Sequence, residues 1–312
     1  TTAPPTPVPP STAPPTPPTT APAPTGRDAR LWPFDSTSPW NTPIGTGVQF
    51  APTSDPRYAN LTDAYTAINA QAWSMATYLA SASDPIRTVT SPAGTWQYRI
   101  PDNAVAAAPS NGDRQLLVID PTGQNVDECW LASQQGTDWT CAYHVRNSVR
   151  GSGVLAGGTR AYGGSALGGL IRTGELQQAS IPHALALAVP RSDLMHGPVW
   201  PANSEDGNAT YGGSLPMGSL VSIPHTVDLN SLGLSPGGLA VATALRDYGA
   251  YLVDASDNFT LFAEPSAEGS LAGARADLDK IRTQLRVVTN NSPSTPGGGG
   301  SPMAPTAPSF SN

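Results

Sequence analysis

The apolar residues of this chain change period several times, and each change predicts an element. Between 54 and 83, Tyr65, Ile68, Ala72, Met75 and Leu79 recur at three- and four-residue spacing behind Thr62, a residue suited to an N-cap. That spacing predicts a helix. "GTWQYRIP" (94–101) then alternates Trp96, Tyr98 and Ile100, the period of a strand, and "RQLLVIDPTG" (114–123) reads as a strand ended by an Asp-Pro-Thr-Gly turn. "IPHALALAVP" (181–190) alternates two apolar faces, His183, Leu185, Leu187 and Val189 against Ala184, Ala186 and Ala188. A strand apolar on both faces is covered on both. Pro182 and Pro190 bracket it, as prolines do at strand ends.

Ser235 and Pro236 open a second helix with the stripe Leu239, Val241, Ala242 and Leu245, and Gly249 stops it. "AYLVDAS" continues as a strand, and "FTLFAEP" (259–265) is expected to pair with it across "SDN". "GARADLDKIRTQLRVV" (273–288) predicts a short last helix. Many short strands with glycine turns and about three helices give a mainly β fold, a sandwich or jelly roll with the helices outside. The alternative is α+β.

Low-complexity ends set the domain limits. Residues 1–25 hold 11 Pro and 8 Thr with no charge, which predicts an extended polyproline linker. Residues 289–312, rich in Gly, Pro and Ser, are expected to be a flexible second linker. Residues 26–288 are then one globular β-rich domain. The first residue is Thr and no signal peptide is visible, so the chain reads as a mature or excised part of a longer exported protein. Cys129 and Cys141, twelve positions apart across "QQGTD", read as a disulfide across a hairpin, and their spacing does not suit a metal.

Composition narrows the partners. Net charge is −7 with 12% charged residues, and no basic stripe exists for nucleic acid or an anionic membrane. No apolar run reaches transmembrane length. The glycine-rich stretch 146–170 matches no phosphate loop, and no cofactor or metal is expected. No G-x-S-x-G elbow is present.

What remains is a supply of acid–base groups in the centre of the chain. A hydrolase of glycosides needs two carboxylates. Glu175 with Asp206 is the expected pair, with Asp254 or Asp120 as substitutes and His183 beside them. A lyase needs a base, an acid and a carboxylate neutraliser. His183 and Tyr143 would be base and acid, with Arg150 or Arg172 neutralising. His144 and the long loop's Trp200 and Tyr211 are expected to line the substrate, and Trp40 to stack on a sugar ring. The plainer readings are a structural histidine at 183, a surface pair of Arg172 and Glu175, and core aromatics at Trp32 and Trp40.

The runs "DSTSPWNTPIGTG", "ALGGLIRTGEL", "IPHALALAVP", "PANSEDG" and "GLSPGGLAVATALRDYGAYLVD" resemble a domain that recurs in exported proteins of soil actinobacteria and related bacteria, over most of 32–265. The Pro/Thr stalk is similar to the linkers of modular plant-polysaccharide enzymes. The resemblance implies an extracellular, modular setting with a polysaccharide partner. "IRTGEL" and "IPH" are also similar to two motifs of jelly-roll alginate lyases, but here they lie close together and no Tyr-Phe-Lys strand accompanies them. The expectation is a secreted glycoside hydrolase, with a carbohydrate-binding or cell-surface module and a polysaccharide lyase as the alternatives.

Overall fold

The computed structural model describes residues 26–108, 110–154, 157–207 and 210–311; the stalk 1–25 lies outside them. In chain order the first nine strands are β1 (Thr66–Asn69), β2 (Met75–Leu79), β3 (Ile86–Ser91), β4 (Gly94–Arg99), β5 (Gln115–Ile119), β6 (Asn125–Trp130), β7 (Ser133–Gln135), β8 (Asp138–Thr140) and β9 (Tyr143–Ser148). Then come β10 (Leu185–Val189), β11 (Leu194–Met195), β12 (Leu215–Pro216), β13 (Leu220–Ser222), β14 (Ala250–Ala255), β15 (Phe259–Phe262) and β16 (Arg286–Val287). Three helices accompany them, α1 (Pro56–Thr62), α2 (Pro236–Asp247) and α3 (Ala272–Arg282).

The fold is mainly β and sandwich-like, with few short helices. Two four-stranded sheets, β2-β5-β6-β9 and β4-β3-β8-β7, enclose a core of Val89, Tyr98, Leu116, Val118, Cys129 and Trp139. The larger, six-stranded mixed sheet runs β1-β15-β10-β14-β13-β16. α2 packs on α3 and β13, and α3 also packs on β1. β5 joins the two cores through its own alternation. Leu116 and Val118 point into the small sandwich, while Leu117 and Ile119 point into the main core. The Cys129–Cys141 disulfide ties β6 to the turn before β9.

β10 sits centrally in the large sheet, and all five of its residues are buried. It pairs parallel with β14 and antiparallel with β15. β14 and β15 therefore do not form the expected hairpin, because the most apolar strand inserts between them. The first predicted helix is also displaced. α1 spans only Pro56–Thr62, and Asp55, not Thr62, caps it by accepting from Arg57 N. The residues behind it form β1 and β2, which pair with β15 and β5. Strand partners distant in sequence override a local helical period. The last helix stops at Arg282, and Arg286–Val287 joins the sheet edge as β16. α2 matches its expectation, with the Ser235 hydroxyl accepting from Gly238 N.

Residues 290–311 are packed rather than free. Gly45 N donates to Gly297 O and Gly47 N to Gly299 O, and Met303 N donates to Ile44 O. The glycines expected to give flexibility instead permit close approach: a Cβ on Gly45 would lie 2.1 Å from Gly299 O. No helix among the described residues is long and apolar enough to cross a membrane.

Candidate functional site

One backbone bridge, made by two hydrogen bonds, places the chemistry. Ile171 pairs in parallel with Ala263, with Ile171 N donating to Phe262 O and Glu264 N donating to Ile171 O, each at 2.9 Å. Arg172 and Glu264, the next residue of each strand-like run, are therefore neighbours. Arg172 Nε donates to Glu264 Oε1, and Thr173 donates to Glu264 Oε2 from both its N–H and its hydroxyl, each at 2.9 Å.

A tight turn then brings Glu175 back. Its Oε2 accepts from Arg172 N at 2.6 Å, and Gly174 holds the left-handed φ of +93° that the turn requires. Its Oε1 lies 3.0 Å from His183 Nε2. His183 immediately precedes the buried run 184–189 and is fixed there because Ala184 N donates to Trp40 O. His183 is only 7% exposed, and its Nδ1 is 2.9 Å from Ala184 O.

That last contact decides the proton count. A carbonyl oxygen only accepts, so Nδ1 carries a hydrogen. The Nε2–Glu175 contact then needs a proton of its own, shared between the imidazole and the carboxyl group. Burial by itself would depress the His183 pKa. Attraction and hydrogen bonding from Glu175, with the bond to Ala184 O, outweigh it and raise the pKa above the ordinary value.

Arg172, Glu175 and Glu264 line a cleft of ≈ 420 Å³. Leu31, Trp32 and Leu79 supply its apolar wall, and Thr77, Thr173, Gln178, Ser180 and Ser266 supply hydroxyl and amide groups. Trp32 is held by its indole N–H, which donates to Asn41 Oδ1 at 2.7 Å. Behind the cleft, Trp32, Asn41, Arg172 and His183 surround a void of only ≈ 10 Å³, so this side of the network is tightly packed.

Of the residues expected at the site, the structure brings together Glu175, His183 and Arg172. Asp206 lies elsewhere, 3.7 Å from the Arg191 guanidinium, and does not line the cleft. Trp40 is a core residue, 1% exposed and edge-to-face with Tyr162 and Tyr251. Trp200 packs edge-on to Tyr251. Tyr211 stacks on His196, whose Nδ1 is 2.8 Å from Glu205 Oε1, and burial raises the Tyr211 pKa to about 12. Tyr143 lies on β9, away from the cleft lining. His144 is buried between the small sheets, bonded to Asp127, tilted against Trp96 and stacked on Tyr98. Asp127 also takes a bidentate bond from Arg146.

Arg150 donates to Gly123 O. Asp120 organises its own turn by accepting from Thr122, Gln124 and Asn125. Asp254, half-buried near the end of β14, accepts from Ala255 N, and desolvation pushes its pKa up to about 7. Glu264 and Trp32 are the site residues that sequence reasoning passed over. Glu264 stands two residues beyond β15, before Pro265, and only the bridge between Ile171 and Ala263 gives it a role. Among the described residues no group of three or more His, Cys, Asp and Glu is placed to hold a metal.

Comparison with protein-family models, with curated proteins and with solved structures finds no match to this chain. The cleft's own chemistry is therefore what bears on function. Glu175, hydrogen-bonded to the buried His183, faces the cleft. A second carboxylate is held by an arginine and a threonine, and an indole and two leucines form an apolar wall.

Proposed function

We propose that this domain is a secreted polysaccharide-active enzyme, a glycoside hydrolase whose acid–base group is Glu175 with His183 behind it. The observation that carries the reading is the 3.0 Å contact of His183 Nε2 with Glu175 Oε1, made by a carboxyl group that lines the cleft while Nδ1 is committed to Ala184 O. In hydrolysis Glu175 gives a proton to the glycosidic oxygen as the C–O bond breaks, and water supplies the hydroxyl to the anomeric carbon. The proton that this water loses returns to the Glu175–His183 pair, which restores the acid for the next turnover. Glu264 is the second carboxylate, replacing Asp206 in that role.

The substrate is an uncharged glycan on this reading. The Arg172 guanidinium is engaged by Glu264 and the His183 proton by Glu175, so an anionic sugar meets two carboxylates and no uncommitted cation in the lining. A lyase acting on uronates needs such a neutraliser, and Tyr143 does not line the cleft. The Trp32 indole and the leucines suit the apolar face of a sugar ring, and hydroxyl and amide side chains suit its rim. The disulfide fits an oxidising, extracellular compartment, and the Pro/Thr stalk connects the domain to further modules.

The test is release of reducing ends and of unsaturated uronates, measured together on neutral and on acidic polysaccharides. Reducing ends from neutral glycans alone support the reading. Unsaturated products from uronates overturn it in favour of elimination. Retention on an insoluble glycan with neither product makes the domain a binding module.

A further inference from the structure

Part of the cleft wall lies outside the sheets and meets the acid–base groups through one hydrogen bond, from Arg172 Nη2 to Arg30 O at 3.3 Å. Leu31 and Trp32 belong to an irregular run that the other end of the chain holds in place. Arg27 N donates to Ser309 O and Ser311 N donates to Arg27 O, each at 3.0 Å, so both ends of the described chain lie side by side. The Arg27 side chain then works in two directions. Outward, its Nε donates to Pro308 O at 2.7 Å and its guanidinium lies 4.0 Å from the Phe310 ring centre. Inward, the same guanidinium donates to Trp32 O, Pro33 O and Phe34 O, and it lies 5.3 Å from the Trp32 ring centre. Phe310 is also clasped from a second side by Arg150 at 4.9 Å.

We propose that the C-terminal segment is a strap that positions the aromatic wall of the cleft, with Phe310 acting through Arg27 on Trp32. A guanidinium satisfies three carbonyls at once only because its fork is planar and rigid, and a ring stacked on its face holds that plane. Losing the ring frees the guanidinium to turn. The backbone of 32–34 then loses a common partner, while Glu175, His183 and Glu264 keep theirs. Phe310 and Arg27 are positioning residues, and their effect on turnover rests on the hydrolase reading above. Their effect on Trp32 does not.

The experiment uses the full chain labelled with 5-fluorotryptophan and read by fluorine NMR, the Trp32 resonance being assigned by its disappearance in W32F. In F310A the Trp32 resonance shifts and broadens while those of the buried tryptophans stay in place, and F310Y, which keeps an aromatic face, restores it. R27K is the second variant should F310A fail to fold; it keeps the charge, loses the fork and moves the same resonance. On a cleaved glycan, F310A raises KM roughly tenfold with kcat unchanged, the mark of lost uniform binding. A Trp32 resonance unmoved in both F310A and R27K overturns the proposal. Movement of Trp32 in a protein that cleaves nothing upholds the strap and overturns the hydrolase instead.

Discussion

His183 and Glu175 share one proton across 3.0 Å, because the other imidazole nitrogen is committed to Ala184 O. The pair is buried on the His183 side and open to a cleft on the Glu175 side, which is the arrangement a proton donor needs.

The first expected consequence is a pH-dependent stability. The folded His183 pKa is raised above its unfolded value, so its contribution is complete below about pH 6.5. That contribution is lost as pH rises through the folded value. Wild-type melting temperature therefore declines across neutral to alkaline pH. E175Q keeps the shape of the side chain, with its amide donating to Nε2 and its carbonyl accepting from Arg172 N, and should show no such decline. Parallel melting curves for the two proteins against pH would contradict the shared proton.

Arg172 and Glu264 form a buried pair, so removing one partner strands a charge. E264Q should lose roughly 3–5 kcal/mol of stability in urea unfolding. Replacing both, as R172M with E264L, should recover much of that loss, because an apolar pair of similar volume carries no desolvation cost. A double variant no more stable than E264Q would show that the pair is not coupled.

Asp193 is the opposite case. Burial, with the like charge of Asp63 next, pushes its carboxyl up to about 6. The folded protein thus binds this proton more tightly than the unfolded chain, and stability falls as pH rises from about 4 to 6. D193N keeps the side chain neutral and preserves an acceptor for the Asn60 amide. It should be more stable than wild type above pH 6, on the order of 2 kcal/mol, and equal to it near pH 4. Equal stability at both pH values would sink this account of Asp193.

The disulfide closes a loop between positions 129 and 141 in the small sandwich. C129S with C141S should cost about 3 kcal/mol, the entropy of closing so short a loop. Amide exchange should accelerate in β6 to β9 before it does in β10 and β14. Uniform acceleration across both sheets would instead make the two cores one cooperative unit.

These groups differ in how far the sequence announces them. The doubly apolar run 184–189 and the Ser235–Pro236 helix start are local signals, and both are realised. The alternation places His183 at the end of a covered strand, and the Arg172 to Glu175 turn is close in sequence, so that half of the site is legible. Glu264 is 89 positions beyond Glu175, and nothing in "FAEP" says that Ala263 pairs with Ile171. The helical period at 65–79 misleads because β1 and β2 are chosen by distant partners. Trp32 and Trp40 are alike as letters. Only packing makes Trp40 a core residue and leaves Trp32 on the cleft. The glycines of 297–300 read as slack, and it takes the facing Gly45 and Gly47 to make them a close contact.

The most direct test is reducing-end release from a panel of neutral polysaccharides by wild type and E175Q, with melting temperatures measured on the same samples. Wild type should cleave at least one of them, with activity falling as pH rises through the His183 transition. E175Q should be folded and slower by roughly 10²–10⁴-fold, the contribution of a positioned acid. A folded E175Q that cleaves as fast as wild type would contradict the assignment of Glu175 as the proton donor.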